Sequence, residues 1–98
     1  MGERLANIHP GEVLLEEFMR PMGITQYRLA QDTGIGQMRV SEIVRGKRGI
    51  SADTALRLAR YFGTSDKFWM GLQDDYEIEE ARAALAGRLE REVRPLAA

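Results

Sequence analysis

Two short helical segments that follow each other almost without a connection constrain the fold of this chain most. The first, TQYRLAQDT, begins at Thr25, a residue type that caps helix N-termini, and ends before Gly34, which suits a left-handed C-terminal position. The second, QMRVSEIVR, follows Gly36 and stops before Gly46. Each segment carries its aliphatic side chains on one side only. The two helices must therefore meet at a tight turn and pack on a shared core.

The rest of the chain also carries helical signals, and no stretch alternates polar and apolar residues for long enough to predict a strand. A first helix begins at Pro10 and should end near Met19, because a proline two residues later disfavours helix in the residue before it. A further helix runs from the cap Ser51 to Gly63, and another begins near Ser65. We therefore predict an all-α fold of five helices.

Apolar side chains at helical spacing define the expected core of these last two helices. In the segment before Gly63, four side chains should face inward: Ala55, Leu56, Ala59 and Phe62. In the segment after Ser65, Trp69 with Phe68 and Tyr76 admits two interpretations, a platform for stacking a ligand or a base, and a part of the core. Their helical spacing favours the core.

The segment 77–98 differs in character from residues 8–76. Its only apolar feature is a narrow helical stripe, and Gly87 weakens its helix. Such a stripe cannot form a core of its own, so it packs along the domain, meets its copy in a dimer or binds a partner. We treat the chain as a single domain, 1–98, with an amphipathic C-terminal helical extension. The stripe consists of Ile78, Ala81, Leu85, Leu89 and Val93.

Composition argues against several kinds of function. The 98 residues suffice for one compact domain, and they include no Cys, which excludes disulfides and thiolate metal sites. The only histidine, His9, has no co-ligands and is expected to help start the helix at Pro10. No nucleophile stands beside a base, and no phosphate-binding loop or paired carboxylates are recognisable. We expect a protein without enzymatic activity, metal or cofactor.

The chain also lacks membrane and export signals. No apolar run approaches the roughly 20 residues that a membrane-spanning helix needs, and the start MGERLANIH has no apolar signal-peptide region. We therefore expect a cytoplasmic protein with no membrane partner.

Charge is distributed unevenly along the chain. Seven Lys or Arg residues stand against three Asp or Glu between residues 25 and 60, although the net charge of the whole chain is −1. A basic middle between acidic ends is typical of a small nucleic-acid-binding protein. An ordinary solvated face is the alternative, but the basic residues cluster in and just after the second of the two short helices, which favours DNA.

The residues that carry this pattern resemble a known family. TQYRLAQDTGIGQMRVSEIVRGKRG is similar to the helix-turn-helix of the phage-repressor superfamily, the Cro/CI or XRE type. IHPGEVLLEEFMRPMGITQYRLA, SEIVRGKRGISADTALRLARYFGTS and FWMGLQDDYEIEEAR resemble the HigA (VapI-like) antitoxins, and the likeness extends over about residues 8–94. It implies a phage-repressor-like DNA-binding core at 8–76, with the helix-turn-helix proper at 25–46.

The resemblance also implies a function. A HigA antitoxin neutralises a HigB-type mRNA endonuclease toxin and represses its own operon by binding double-stranded operator DNA, usually as a homodimer on an inverted repeat. The alternative is a solitary XRE-type transcriptional repressor without a toxin partner. A pure protein-interaction module is a third possibility, and it predicts no salt-dependent DNA binding.

The second helix of the motif should read bases, because a recognition helix enters the major groove with its N-terminal part. Gln37 matches the position at which repressor relatives place a glutamine on a base, and glutamine can bond adenine. Arg39 can bond guanine, and Met38 can touch a thymine methyl group. Gln37 as a neutral surface residue and Met38 as a sideways-packing residue remain open alternatives. The predicted base contacts are Gln37, Met38, Arg39 and Ser41.

Phosphate contacts should come from the flanks of this helix. Gln26 lies at the start of the preceding helix, where repressor relatives anchor a phosphate. Further on, the acidic run from Asp74 to Glu80 is either a solvated face or a docking surface for a basic toxin. The predicted phosphate contacts are Gln26, Arg45, Lys47 and Arg48.

Overall fold

The structure, a computed structural model, describes residues 7–97 as a succession of six helices. Residues 1–6, most of the segment considered above for an export signal, and residue 98 lie outside the described residues. No strand occurs in the part of the chain that is described, so the prediction of an all-α fold with a helical extension is confirmed. The helices are α1 (10–22), α2 (Gln26–Thr33), α3 (Gln37–Val44), α4 (Ala52–Phe62), α5 (Asp66–Ala84) and α6 (Arg88–Glu92).

The first helix ends later than the sequence predicts. It is α-helical at its two ends, and π-helical between them: Pro10–Val13, Leu14–Met19 and Arg20–Met22. The prediction that Pro21 ends it near Met19 is therefore wrong. Proline has no N–H and its ring crowds the carbonyl one turn earlier, and the wider π turn, in which the Arg20 N–H bonds the Leu15 oxygen, makes room for that ring. The chain leaves the helix at Gly23, which has a φ of 65°.

The predicted helix caps are confirmed. Thr25, Ser51 and Ser65 each accept a hydrogen bond from the backbone N–H three residues further along. Gly34 and Gly63 take the left-handed conformation at the ends of α2 and α4, with φ values of 76° and 75°. These signals fix the bounds of α2, α4 and the start of α5 because each acts within a single turn of helix.

Trp69 lies at the centre of the core and is completely buried. Its ring centroid lies 4.9 Å from that of Phe18 in α1 and 5.0 Å from that of Phe68. The indole N–H donates to the hydroxyl of Thr64 at 2.7 Å, which satisfies its one polar group. Trp69 therefore belongs to the core, as its spacing predicts, and is not available as a stacking platform.

One leucine of the fourth helix, Leu56, does not face the core as predicted. Leu56 is 57% exposed, whereas Leu58, which was not assigned to the core, is fully buried. The buried face of α4 is formed by pairs four residues apart: Thr54 with Leu58, and Ala55 with Ala59. Leu56 points about 100° away from Ala55 and so leaves this face.

The fifth helix crosses the predicted division between residues 8–76 and 77–98 without interruption. That division remains a prediction, but it does not coincide with the end of a helix. Beyond Tyr76 most side chains are exposed, including several large apolar ones. The large apolar side chains exposed in this part are Ile78, Leu89, Val93 and Leu96.

His9 starts α1, as expected for a histidine that precedes a proline. Its Nδ1 accepts a hydrogen bond from the Gly11 N–H at 2.9 Å, and its ring packs edge-on against Tyr76 with 4.8 Å between centroids. Partial burial lowers the pKa of His9 from the ordinary value of 6.5. Only the neutral ring can accept at Nδ1, so the cap depends on the imidazole remaining unprotonated.

We expect the melting temperature of the protein to fall as the pH drops through about 6.5, because the unfolded chain then binds a proton that folded His9 resists. The stabilisation is complete above the unfolded pKa and is lost as the pH falls toward the lower folded value. A His9→Asn variant keeps a capping acceptor without the titration, so its melting temperature should stay level between pH about 7.5 and 5.5. An equal fall in both proteins, measured by circular dichroism, would assign the effect to other groups.

Candidate nucleic-acid interface

The third helix lies on the core with one side and exposes the other. Val40 and Ile43 are almost completely buried and fix the inner side of α3. Gln37 is exposed and Met38 is 74% exposed, at the N-terminal end of the outer surface. Met38 therefore does not pack sideways against the core of this chain. Ser41 is half-buried on the next turn of the helix.

The fourth predicted base-contact residue, Arg39, lies at the edge of α3 against the start of α4. Its Nη1 donates to the hydroxyl of Thr54 at 3.4 Å and lies 3.6 Å from Oδ1 of Asp53. Arg57 approaches the same carboxylate oxygen with its Nε at 2.7 Å and donates from Nη1 to the carbonyl oxygen of Thr33 at 2.9 Å. Asp53 thus stands between two guanidinium groups and joins α3, α4 and the end of α2.

The electrostatics of this cluster keep the Asp53 carboxylate ionised. The hydrogen bond and charge of Arg57 hold the pKa of Asp53 below its usual range, and the charge of Arg39 adds to the effect. Asp53 and Thr54 are not among the site residues predicted from the sequence. The four-residue spacing between Asp53 and Arg57 was the available signal, and it indicated only an exposed helical ion pair.

The predicted phosphate contacts surround the C-terminal end of α3, except for one. Arg45 folds back on the helix, where its Nε donates to the carbonyl oxygen and the hydroxyl of Ser41 at 3.3 and 3.2 Å. Arg48 forms an ion pair with Glu42 at 2.8 Å. Lys47 is exposed and makes no salt bridge within residues 7–97. The exception is Gln26, half-buried at the first position of α2.

A shallow depression between α2 and α3 places Tyr27 and Gln31 beside Gln37. Tyr27 is exposed, and its hydroxyl accepts a hydrogen bond from Nε2 of Gln31 at 3.0 Å. Tyr27 is not among the predicted site residues, because nothing in the sequence distinguishes an exposed aromatic residue in a short amphipathic helix from a core residue.

Comparisons with known proteins identify the family of this arrangement. Residues 15–69 match the family model described as helix-turn-helix. The solved structure "Pseudomonas aeruginosa antitoxin HigA with higBA promoter" is 46% identical, with a TM-score of 0.89, and the match covers 94% of this chain and all of that one. This chain belongs to the HigA antitoxin family. It is thereby a non-enzymatic helix-turn-helix protein, as the sequence predicts.

Two curated relatives extend the comparison. "Antitoxin HigA-1" of Vibrio cholerae serotype O1 is 35% identical over 72 residues, which are 74% of this chain and 68% of that protein. "Virulence-associated protein I" of Dichelobacter nodosus is 49% identical over 74 residues, which are 76% of this chain and 68% of that protein. This HigA-family chain has no group of three or more metal-ligating side chains within residues 7–97, and no helix of that part is long and apolar enough to cross a membrane.

Proposed function

We propose that this protein is an antitoxin that represses its own operon by sequence-specific DNA binding and neutralises a HigB-type mRNA endonuclease. The observation that carries the DNA-binding part is the outer surface of α3, which is polar, accessible and followed by a basic loop. The related structure of the Pseudomonas aeruginosa antitoxin HigA with its promoter supports the same function here.

In this proposal α3 lies in the major groove with its N-terminal turn against the bases. Gln37 and Arg39 carry the hydrogen-bonding groups that distinguish adenine and guanine, while Met38 offers an apolar contact to thymine. Ser41 contacts a base or holds Arg45 for a phosphate, since the two are already hydrogen-bonded. Gln26, Lys47 and Arg48 contact phosphates on either side of α3, and they supply affinity and salt dependence rather than sequence choice.

The proposed DNA complex contains two copies of the chain. A single α3 reads only one half-site, and a two-fold symmetric protein matches an inverted repeat. We therefore propose a homodimer on a palindromic operator. Operator DNA and the proposed mRNA endonuclease are both found in the cytoplasm. We therefore propose that this protein is cytoplasmic.

The toxin-binding part of the proposal rests on the family and on the exposed C-terminal region. Related chains are called antitoxins, and several large apolar side chains remain exposed between Ile78 and Leu96. Exposed apolar groups at helical spacing suit a partner helix or groove. The acidic run from Asp74 to Glu80, at the start of this region, would attract a basic partner.

A growth assay tests this function. The short reading frame adjacent to the gene is expressed from a tight promoter, alone and together with this protein. We expect the product of the adjacent reading frame to arrest growth when it is expressed alone. Co-expression of this protein should restore growth, because the antitoxin binds the toxin. A neighbour that is expressed without causing arrest would instead leave a solitary XRE-type repressor.

A matched variant separates the two activities in the same assay. Replacement of Met38, Arg39 and Lys47 by alanine removes side chains from the proposed DNA surface and none from the region beyond Asp74. The variant should still relieve growth arrest but should no longer repress a reporter placed behind the promoter. Loss of both activities in a folded variant would place the toxin on the α3 surface.

A further inference from the structure

A buried glutamine contacts the end of the basic loop, residues 45–49, that follows α3. Gln73 lies on α5 four residues after Trp69, on the same face of the helix, and only 6% of its surface is exposed. Its Oε1 accepts a hydrogen bond from the backbone N–H of Ile50 at 2.7 Å. Glutamine is mostly an exposed residue, because a buried amide needs partners that replace water. Its burial here therefore depends on the contacts that the amide makes.

The orientation of the Gln73 amide is fixed from its other side. Its Nε2 donates to Oε2 of Glu77, one helical turn further along α5, at 2.7 Å. A carboxylate can only accept, so the amide nitrogen must face Glu77 and the amide oxygen must face the Ile50 N–H. Each end of the amide thus has one partner of the right kind, and the side chain has a single favourable arrangement.

The backbone of the basic loop lies directly on this amide. A Cβ built on Gly49 would come within 2.7 to 2.9 Å of the nitrogen, carbon and oxygen atoms of the Gln73 amide. The φ of Gly49 does not lie in the left-handed region, so its backbone conformation does not require glycine. The close approach to Gln73 does require it, because any side chain would fill the space that the amide occupies.

Few other interactions fix the second half of the basic loop. The N–H of Lys47 donates to the carbonyl oxygen of Glu42 at 2.7 Å, which keeps the first half at the end of α3. Residues 48–50 make no backbone–backbone hydrogen bond within the part of the chain that is described. The contact with Gln73 therefore determines the path by which the loop leaves α3.

We propose that Gln73 is a positioning residue for DNA binding: it holds the end of the basic loop against α5 and so places Lys47 and Arg48 for contact with phosphates. A positive charge contributes to DNA binding where it lies close to a phosphate, so the path of the loop backbone controls the contribution of both side chains. The inference rests on the proposed function in requiring that this loop contacts DNA.

Gln73 should affect phosphate contacts and not base contacts. It holds the chain that follows the C-terminal end of α3, whereas the proposed base contacts begin at the N-terminal turn, where Asp53 and Thr54 hold Arg39. Phosphate contacts carry no sequence information directly. A loosened loop should therefore weaken binding to operator and to random DNA by the same factor.

Replacement of Gln73 by methionine removes the acceptor for the Ile50 N–H and keeps a side chain of similar length. We expect the affinity for operator and scrambled duplexes to fall alike, by about 5-fold or more, with a loss of about one unit of salt slope for each phosphate contact removed. Fluorescence anisotropy at several salt concentrations measures both quantities. In a Lys47→Ala/Arg48→Ala background the same replacement should have no further effect, because the two charges that the loop places are already absent.

Two further variants separate positioning from stability. Thr64→Val is the matched control, because it removes the acceptor of a different buried N–H, the indole of Trp69. It should lower the melting temperature as Gln73→Met does, yet leave the DNA affinity and the salt slope unchanged. Gly49→Ala tests the same contact from the loop, since its Cβ displaces the Gln73 amide, and it should weaken binding to both duplexes.

NMR relaxation of the backbone amides observes the loop in the free protein. Residues 47–50 should become more mobile on the picosecond to nanosecond timescale in Gln73→Met and in Gly49→Ala, but not in Thr64→Val. A folded Gln73→Met protein with an ordered loop, with unchanged DNA affinity, or with an additive loss in the Lys47→Ala/Arg48→Ala background would overturn the proposal. A loop that loosens as expected, in a protein whose original form binds neither duplex, would support the contact between Gln73 and the loop and count against the proposed function instead.

Discussion

Replacement of Gly11 by alanine is expected to destabilise the fold by about 3 kcal/mol, at the upper end of the cost of overpacking. A Cβ on Gly11 would overlap the backbone carbonyl oxygen of Ile43, near the end of α3. The obstacle is backbone on both sides, so no side-chain rotation can relieve it. The helix α1 must move away from α3, and that movement disturbs the packing of Leu14, which is almost fully buried.

Thermal unfolding followed by circular dichroism measures this effect. For a domain of this size, a loss of 3 kcal/mol lowers the melting temperature by about 12 to 24 °C. Gly36→Ala is the matched control, because a Cβ there meets no atom within 4 Å and the φ of −59° suits any residue. That variant should change stability by less than about 1 kcal/mol. A Gly11→Ala protein that melts like the Gly36→Ala protein would show that α1 and α3 are not in close backbone contact.

The destabilisation expected from Gly11→Ala has a cause that the sequence alone does not reveal. The caps Thr25, Ser51 and Ser65 were predicted correctly because each interacts with the backbone three residues away. The reason for Gly11 lies in residue 43, on another helix, and no local pattern expresses it. Leu56 was placed wrongly for a similar cause: alanine and leucine positions on α4 allow two hydrophobic faces, and only packing selects one.

Some features of the candidate site could likewise be predicted from the sequence, and others could not. The exposure of Gln37, Met38 and Lys47 agrees with the sequence prediction, whereas their contacts with base edges and phosphates stay a prediction. The ion pair of Arg39 with Asp53 and its hydrogen bond to Thr54 could not be predicted from the sequence, because they arise where α4 approaches the edge of α3. The hydrogen bond by which Gln73 accepts from the Ile50 N–H at 2.7 Å is a second example, and it ties the basic loop to α5 across 23 residues.

Replacement of Arg39 by alanine should lower operator affinity by about 30-fold or more and affinity for random DNA only slightly. A bidentate contact between arginine and guanine discriminates by about 1 to 3 kcal/mol, and the proposed homodimer on an inverted repeat would make it twice. Non-specific binding to random DNA depends on phosphate contacts and not on this base contact, so only one charge per subunit is lost there. The fold should survive, since Asp53 keeps its 2.7 Å ion pair with Arg57 and Thr54 its bond to Ser51.

Fluorescence anisotropy with operator and scrambled duplexes at several salt concentrations measures both affinities. Lys47→Ala is the matched control, because it removes one positive charge from an exposed loop position next to the same helix. It should weaken both duplexes alike and reduce the salt dependence by about one unit of slope per phosphate contact. If Arg39→Ala behaves like Lys47→Ala, then Arg39 contacts a phosphate. In that case the Asp53 carboxylate orients Arg39 toward the sugar-phosphate backbone of the DNA. If the loss is confined to the operator, the same carboxylate directs Arg39 to a base edge, and the first turn of α4 takes part in sequence reading.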